Sequence, residues 1–236
     1  VIRDSMWGGI ALGADIALFF SAVKLTSIVN ATIIGSMQPI VVGVIAARFF
    51  GERIGLRNVV WSAVALAGTV VVVAAGADNG TTDLRGDLLA LAAMLSWSAY
   101  FIASKNSKKT MTSTEFTAGT ALWTMAICAP LGFVFGQDMS WPSATNWGWL
   151  ILMAVSSGLI GLAMMNWSLV RIPLWVGSTF TLLIPVFSAL LAWIVLDETV
   201  TAAQAVAMAV VIGALAVVVR NQSAPASVKA SVTSGV

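Results

Sequence analysis

Eight apolar runs dominate this sequence, and each is long enough to cross a lipid bilayer. A helix needs roughly 17–25 mostly apolar residues to span about 30 Å of hydrocarbon. Hydrophobic residues make up 59% of the 236 and charged residues only 9%, whereas soluble domains carry about 25% charged residues. The sequence therefore predicts an all-α polytopic membrane protein with about eight transmembrane helices. The predicted spans are Met6–Val23, Ile28–Phe50, Val59–Ala77, Asp87–Ala103, Phe116–Phe135, Trp147–Val170, Leu174–Leu196 and Ala202–Val219.

The basic residues between these runs indicate how the chain is oriented. With Val1 in the cytoplasm, ten of the 12 lysines and arginines fall on the cytoplasmic side, and only Lys24 and Arg85 fall on the other. Cytoplasmic loops of membrane proteins carry such an excess of basic residues. We therefore expect both termini in the cytoplasm and the protein in the cell (inner or plasma) membrane.

A proline followed thirteen residues later by a glutamate occurs twice, as Pro39 with Glu52 and as Pro185 with Glu198. The segments PIVVGVIAARFFGER and PVFSALLAWIVLDET align at an offset of 146 residues, and the runs that follow them are also similar. The first three spans thus match the last three. This predicts two repeats of five helices, the first lacking its first two in this chain. Because five is odd, the second repeat enters the membrane inverted.

This repeat divides the chain into three parts. Residues 1–80 hold the last three helices of the first repeat, and residues 81–220 hold a complete second repeat. Residues 221–236 are small and polar, and they are predicted to be a disordered cytoplasmic tail. Inverted repeats joined by short loops are typical of secondary transporters, which bind substrate near the membrane midplane.

The order of apolar span, proline, loop glutamate and small-residue-rich span, used twice, resembles the EamA-type branch of the drug/metabolite transporter superfamily. The stretch WSAYFIASKNSKK at the start of the second repeat also resembles that family. The resemblance covers about residues 6–220. It implies a ten-helix transporter with a central cavity, which exports amino acids, other metabolites or drugs. We expect a proton-linked secondary transporter that works by alternating access.

Asp15 is the acidic residue that lies nearest the centre of a predicted span, in WGGIALGADIALFFSAV. A carboxylate at that depth is costly, and such residues usually mark the path of an ion or a substrate. The functional hypothesis is therefore a site for proton coupling or for a substrate cation. The alternative is an aspartate that hydrogen-bonds to neighbouring helices for packing.

The repeated prolines and glutamates allow a structural and a functional interpretation. Pro39 and Pro185 each remove a backbone hydrogen bond and kink a helix, either as a hinge or cavity wall or merely for packing. Glu52 and Glu198 precede the next helix, where a carboxylate favours the unpaired amides. We expect both glutamates to be loop or capping residues, with substrate or proton contact as the alternative.

Polar and aromatic side chains within the spans are candidates for a substrate cavity, since a mostly apolar pocket needs a few polar groups. Packing is the alternative for each of them. These candidates are Asn30, Gln38, Trp97, Tyr100, Asn166, Ser178, Thr179 and Thr181.

Two further patterns predict local structure. Small residues at Gly9 and Gly13, and at Ser157, Gly158 and Gly161, favour close approach between helices. Thr112 with Glu115, and Thr201 with Gln204, have the spacing of capping boxes at helix starts.

The composition argues against several classes of function. There is no histidine, only Cys128 among thiols, and no GxxxxGK[ST] motif, so we predict no metal, no cofactor and no ATP site. An enzyme is not expected; the alternatives to a transporter are a lipid-acting membrane enzyme and a membrane receptor or assembly protein. The predicted partners are a small-molecule substrate, the lipid bilayer and protons, with no nucleic acid. A homodimer is a further association that this interpretation allows.

Overall fold

The computed structural model describes residues 1–75, 83–107, 109–134, 141–197 and 199–223. Regular structure in those residues is entirely helical, which confirms the predicted fold class. The helices are α1 (Ile2–Ala22), α2 (Ile28–Ser36), α3 (Gln38–Phe49), α4 (Leu56–Ala75), α5 (Leu84–Ser107), α6 (Ser113–Val134), α7 (Ala144–Met153), α8 (Leu162–Leu169), α9 (Leu174–Phe180), α10 (Leu183–Leu196) and α11 (Ala202–Ser223). A π-helical segment, Ala154–Gly161, joins α7 to α8.

These helices form eight spans that are long and apolar enough to cross a membrane, as the sequence predicts. Three of the spans are composite. The span Ile28–Phe49 consists of α2 and α3, Leu174–Val195 of α9 and α10, and Ala144–Leu169 of α7, the π-helical segment and α8. The predicted tail also begins too early, because α11 continues to Ser223; residues 224–236 lie outside the described part of the chain.

The two proline-bearing spans break at corresponding places. Pro39 is the second residue of α3, and Pro185 is the third residue of α10. Proline fits the first turn of a helix, where its missing N–H would have no partner within the helix. The preceding helices α2 and α9 begin at Ile28 and Leu174, which differ by the 146-residue offset of the sequence repeat. Each span is therefore two short helices with a proline just after the break.

The chain divides into two compact units, and the first comprises Val1–Glu52 and Asn79–Ser178. Within it α1 packs against α5 and α6, α2 and α3 pack against α5, and α8 packs against α5 and α6. Close approach of α1 to α6 depends on glycine. A methyl group at Gly8 would lie 2.6 Å from Phe116 Cζ, and one at Gly9 would overlap Trp123.

The small-residue prediction is thus only partly correct. It is confirmed at Gly9, and at Gly13, where a methyl group would lie 3.2 Å from Ile127 Cβ. It is wrong for the Ser157–Gly161 stretch. A methyl group at Gly158 would have no described atom within 4 Å, and one at Gly161 would meet only its own helix, at Ser156 O. This stretch forms the π-helical segment, whose described residues are all largely exposed.

The second unit comprises Arg53–Asp78 and Thr179–Val236. Its helix α4 packs against α10 and α11 around buried Val72, Val186 and Val211. The Thr69 hydroxyl lies 3.0 Å from Ala65 O and 3.2 Å from Leu182 O, the carbonyl just before α10. The Asn221 amide donates to Asn58 Oδ1 over 3.1 Å. These polar contacts fix α4 against both of its partners.

Both predicted capping boxes are confirmed. The N–H of Thr112 donates to Glu115 Oε2 over 2.8 Å, and the N–H of Glu115 donates to Thr112 Oγ1 over 3.3 Å. The N–H of Thr201 donates to Gln204 Oε1 over 2.9 Å, and the N–H of Gln204 donates to Thr201 Oγ1 over 3.2 Å. Each pair satisfies amides that a helix start leaves unpaired.

Candidate functional site

The most extensive buried polar cluster surrounds Asn166 in α8. Its Nδ2 donates to Tyr100 Oη over 2.7 Å and to Thr117 Oγ1 over 2.9 Å, and its Oδ1 accepts from Ser104 Oγ over 2.7 Å. All four side chains are almost wholly buried. We call Tyr100, Ser104, Thr117 and Asn166 the Asn166 cluster. It ties α5, α6 and α8 together through hydrogen bonds that use both amide hydrogens of the asparagine.

The aromatic ring of Trp97 extends this cluster along α5. It stacks on Tyr100 with ring centroids 5.3 Å apart and an angle of 13° between the planes. Tyr100 is fully buried, whereas Trp97 is only partly buried. The sequence allowed these aromatic rings either a contact with substrate or a packing role, and in this structure they stack on each other. Trp97 is therefore the more accessible member of this aromatic pair.

Asn30 belongs to a different polar group, at the start of α2. Its N–H donates to Ser27 Oγ over 3.1 Å, and its Nδ2 lies 3.5 Å from Thr26 Oγ1. The Thr26 hydroxyl donates to Asp87 Oδ1 over 2.7 Å. Asn30 therefore takes part in joining the start of α2 to the start of α5, and in the described part of the chain no hydrogen bond links it to the Asn166 cluster.

Asp15 lies inside α1 and is partly buried. Within the described residues, its carboxyl group makes no hydrogen bond or ion pair with another side chain. The neighbouring turn of α1 packs closely on α6, where Cys128 Sγ lies 3.6 Å from Gly13 O. A carboxyl group held in a span without a protein partner can exchange a proton or bind a cationic group.

The remaining cavity candidates are dispersed. Gln38 is buried at the start of α3, and Ser178 is buried in α9 with its hydroxyl donating to Trp175 O over 2.8 Å. Both belong to the first unit. Thr179 and Thr181 belong to the second unit, where Thr179 is buried and Thr181 lies in the break before α10.

Glu52 is a loop residue that caps a helix, but the helix that it caps is not the one that follows it. Its Oε1 accepts the N–H of Leu174 over 2.7 Å, and its Oε2 accepts the N–H of Trp175 over 3.1 Å. It therefore caps α9, which lies more than a hundred residues away in the sequence. The turn that aims it there uses Gly51, whose φ of 64° suits glycine. Glu198 lies outside the described residues.

A cavity of about 640 Å³ opens between the ends of α3 and α5, and no predicted cavity residue lines it. Its lining residues are Ile45, Phe49, Phe50, Ile102, Lys105, Asn106 and Lys109. In the residues that the structure describes, no group of three or more acidic, cysteine or histidine side chains is arranged to hold a metal ion.

The sequence of this chain matches one family of membrane proteins. A model of the EamA-like transporter family matches residues 8–74 and 84–220. The chain belongs to the EamA-like transporter family. The resemblance seen in the repeated proline and glutamate pattern is thereby confirmed, and the chain is a multi-pass membrane protein of a transporter family.

Two relatives with named substrates match most of the chain. The aromatic amino acid exporter YddG of Ancylobacter novellus is 29% identical over 204 residues, which cover 84% of this chain and 69% of the relative. The threonine/homoserine exporter RhtA of Salmonella typhimurium is 25% identical over 211 residues, or 87% of this chain and 67% of the relative. The chain thus spans about two thirds of the length of these exporters.

A solved structure shares the fold. A crystal structure superposes with a TM-score of 0.76 and 28% sequence identity, over 91% of this chain and 74% of that chain. The helical fold of this chain is therefore shared with a solved protein over nearly all of its length.

The sequence identified Tyr100 and Asn166 as separate candidates for the site. It did not identify Ser104 and Thr117, which hydrogen-bond to Asn166, or Lys105, which lies next to Glu52. One signal was present, because Tyr100 and Ser104 are four residues apart and so share a face of α5. The pairing across helices had no signal in a single sequence.

Proposed function

We propose that this protein is a secondary active transporter that exports small metabolites. The observation that supports this most is the match to the EamA-like transporter family over both segments of the chain. The absence of a nucleotide-binding motif from the sequence favours an ion gradient over ATP as the energy source.

Amino acids are the substrate class that we propose. Both relatives named above export them, one aromatic amino acids and the other threonine and homoserine. A partly exposed Trp97 stacked on Tyr100 offers an aromatic face, which suits an aromatic side chain or an ammonium group. We therefore rank aromatic amino acids ahead of hydroxy amino acids. The cavity residues proposed from the sequence remain candidates, with Trp97 the most accessible of the aromatic pair.

Alternating access between inverted repeats is the proposed mechanism. The matching starts of α2 and α9, and the matching prolines in α3 and α10, support two equivalent broken spans, one in each repeat. A break gives each span a place to bend, as in other transporters with discontinuous helices. The excess of basic residues on one side supports two cytoplasmic termini in the plasma membrane.

Asp15 is the residue that we propose for coupling. It lies within a span, and none of the described side chains forms an ion pair with it. Binding of a proton removes its charge from the hydrocarbon region, so protonation can favour one conformation over the other. The proton would enter from one side and leave on the other, once per transport cycle.

Counterflow in proteoliposomes tests the transport proposal directly. The full-length protein is reconstituted into vesicles loaded with unlabelled phenylalanine, tryptophan or threonine, and tracer amounts of the labelled amino acid are added outside. Transient accumulation of label is expected for at least one aromatic amino acid, with none in protein-free vesicles. Failure of a folded, inserted protein to exchange any amino acid would contradict this function. An enzyme or a receptor would give the same negative result.

A further inference from the structure

The carboxylate of Glu52 bridges two segments that are far apart in the sequence. Each oxygen accepts a different backbone N–H, from Leu174 over 2.7 Å and from Trp175 over 3.1 Å. Glu52 lies in the loop after α3, beyond Phe50 and Gly51, and Leu174 and Trp175 are the first two residues of α9. A single side chain thus joins the end of one broken span to the beginning of the other.

Lys105 brings a third segment to the same point. Its Nζ lies 4.0 Å from Glu52 Oε1 and also donates to the carbonyl of Ile172, in the turn before α9. The side chains of Glu52 and Lys105 are only 14% and 18% exposed. We call Glu52, Lys105 and the amides of Leu174 and Trp175 the Glu52 lock. It connects the ends of α3 and α5 to the start of α9.

The chemistry of this lock favours two discrete states over a gradual change. The amides of Leu174 and Trp175 have no carbonyl partner within their own helix, because they are at its start. A carboxylate satisfies both at once and also balances the charge of Lys105. When α9 moves away from Glu52, both amides need water molecules as hydrogen-bond partners, so water must enter this end of the protein. The lock therefore favours two arrangements, one in which Glu52 binds both amides and one in which water does.

We propose that Glu52 is a gating residue that holds one end of the transport path closed. This rests on the proposed function, since it assigns the lock to the alternating-access cycle. Opening at this end separates the start of α9 from the end of α3 and breaks both carboxylate bonds. The breaks at Met37 and at Thr181–Leu182 lie further along the same two spans, where bending can follow. Glu52 acts through helix position and does not need to touch the substrate.

Thiol labelling in sealed membrane vesicles tests the gate without requiring any transport. The full-length protein carries Cys128→Ala and Ser178→Cys, which places one thiol in α9 at a fully buried position. A membrane-impermeant maleimide is applied from the side on which Glu52 lies, and the labelling rate is measured. Glu52→Gln keeps the size of the side chain but can accept only through one oxygen. We expect it to raise the labelling rate about tenfold, because loss of one charged hydrogen bond shifts the equilibrium toward the open state.

The matched control is Glu115→Gln. Glu115 is also a capping carboxylate, but its hydrogen bonds go to Thr112 at the start of its own helix, and among the described residues none of them crosses to another span. Its substitution should leave the labelling rate unchanged. General loosening is monitored in the protein that retains Cys128 and Ser178, where Glu52→Gln should not alter labelling of Cys128. If Glu52→Gln and Glu115→Gln changed the labelling rate equally, or if Glu52→Gln accelerated labelling of both Cys128 and the cysteine at position 178, Glu52 would be a helix cap without a gating role.

Lys105→Gln provides a second variant if Glu52→Gln fails to insert. It removes the ion pair and leaves both amide bonds to Glu52 in place, so a smaller rise in labelling from the same side is expected. Wild-type labelling rates in both variants would overturn the gate. If labelling changes as expected while counterflow is absent, the gate stands and the transport proposal fails. If counterflow is present and labelling is unaltered, only the gate fails.

Discussion

The side chains of Asn166 and Tyr100 meet over 2.7 Å in the most buried polar cluster that the structure describes. The same asparagine donates to Thr117 and accepts from Ser104, so one side-chain amide joins three helices by hydrogen bonds. An apolar interior makes each of these bonds costly to leave unmade. The cluster therefore sets the spacing of α5, α6 and α8.

Replacement of Asn166 by alanine should destabilise the protein strongly. It leaves Tyr100, Ser104 and Thr117 buried with fewer partners, at a cost of about 1–3 kcal/mol for each unsatisfied group. We expect a loss of about 2–4 kcal/mol in unfolding free energy, measured by denaturation of the full-length protein in mild detergent. Asn146→Ala, at an exposed position in α7, should change it by less than about 0.5 kcal/mol. Unaltered stability with lost amino acid binding would instead make the cluster a binding site.

Trp97 is predicted to contribute to substrate affinity. Trp97→Ala removes the more accessible ring of the pair. It should weaken the apparent affinity for aromatic amino acids by about tenfold, because that is the change in affinity expected from the loss of one aromatic contact. Competition with labelled phenylalanine in proteoliposomes measures this. Trp149→Ala removes an exposed ring from α7 and should have no effect. Equal affinity in the two variants would exclude Trp97 from the substrate path.

Gly9 is predicted to be intolerant of any side chain. A methyl group there would overlap Trp123 and lie 2.9 Å from Thr120 O, so α1 and α6 must separate. We expect Gly9→Ala to lower the unfolding free energy by about 1–3 kcal/mol. Gly213→Ala in α11 has no described atom within 4 Å of the added carbon and should be neutral or slightly stabilising. Similar results for both glycines would show that α1 and α6 are not closely packed.

Pro39 is predicted to affect the rate of transport more than substrate binding. Pro39→Ala restores an N–H in the first turn of α3 and allows α2 and α3 to join as one helix. The counterflow rate should fall several-fold, while the concentration for half-maximal binding stays within about twofold, since the change affects movement of the span. Pro142→Ala, in the segment before α7, is the control and should leave both unchanged. A fall in binding alone would argue that Pro39 shapes the cavity wall and not a hinge.

Features that depend on local sequence were predictable, and features that depend on tertiary contacts were not. Apolar run length predicted the eight spans, and short-range spacing predicted the capping boxes at Thr112 and Thr201. The repeated proline predicted a disturbance in two spans, but a kink was expected and a break between two helices was found. The π-helical segment had no sequence signal that we recognised.

The contacts that the sequence did not predict are those between residues far apart in the chain. The helix that Glu52 caps lies 122 residues away from it, and Asn166 bonds to residues that are 49 to 66 positions earlier in the chain. A glutamate just after a helix has many possible amides within reach, and the sequence favours the nearest. The fold instead brings the start of α9 to it. Which polar residues meet inside a bundle is likewise decided by packing and not by their spacing along one helix.

The most direct test of the central claim is proton movement coupled to substrate through Asp15. The full-length protein is reconstituted with a pH-sensitive dye inside the vesicles, and an outward gradient of the transported amino acid is imposed at several external pH values. We expect the wild-type and the Asp4→Asn control to show substrate-dependent acidification or alkalinisation, whereas Asp15→Asn should exchange substrate with no proton movement and no pH dependence. Proton movement in Asp15→Asn equal to that of the control would contradict the assignment of Asp15 as the coupling residue.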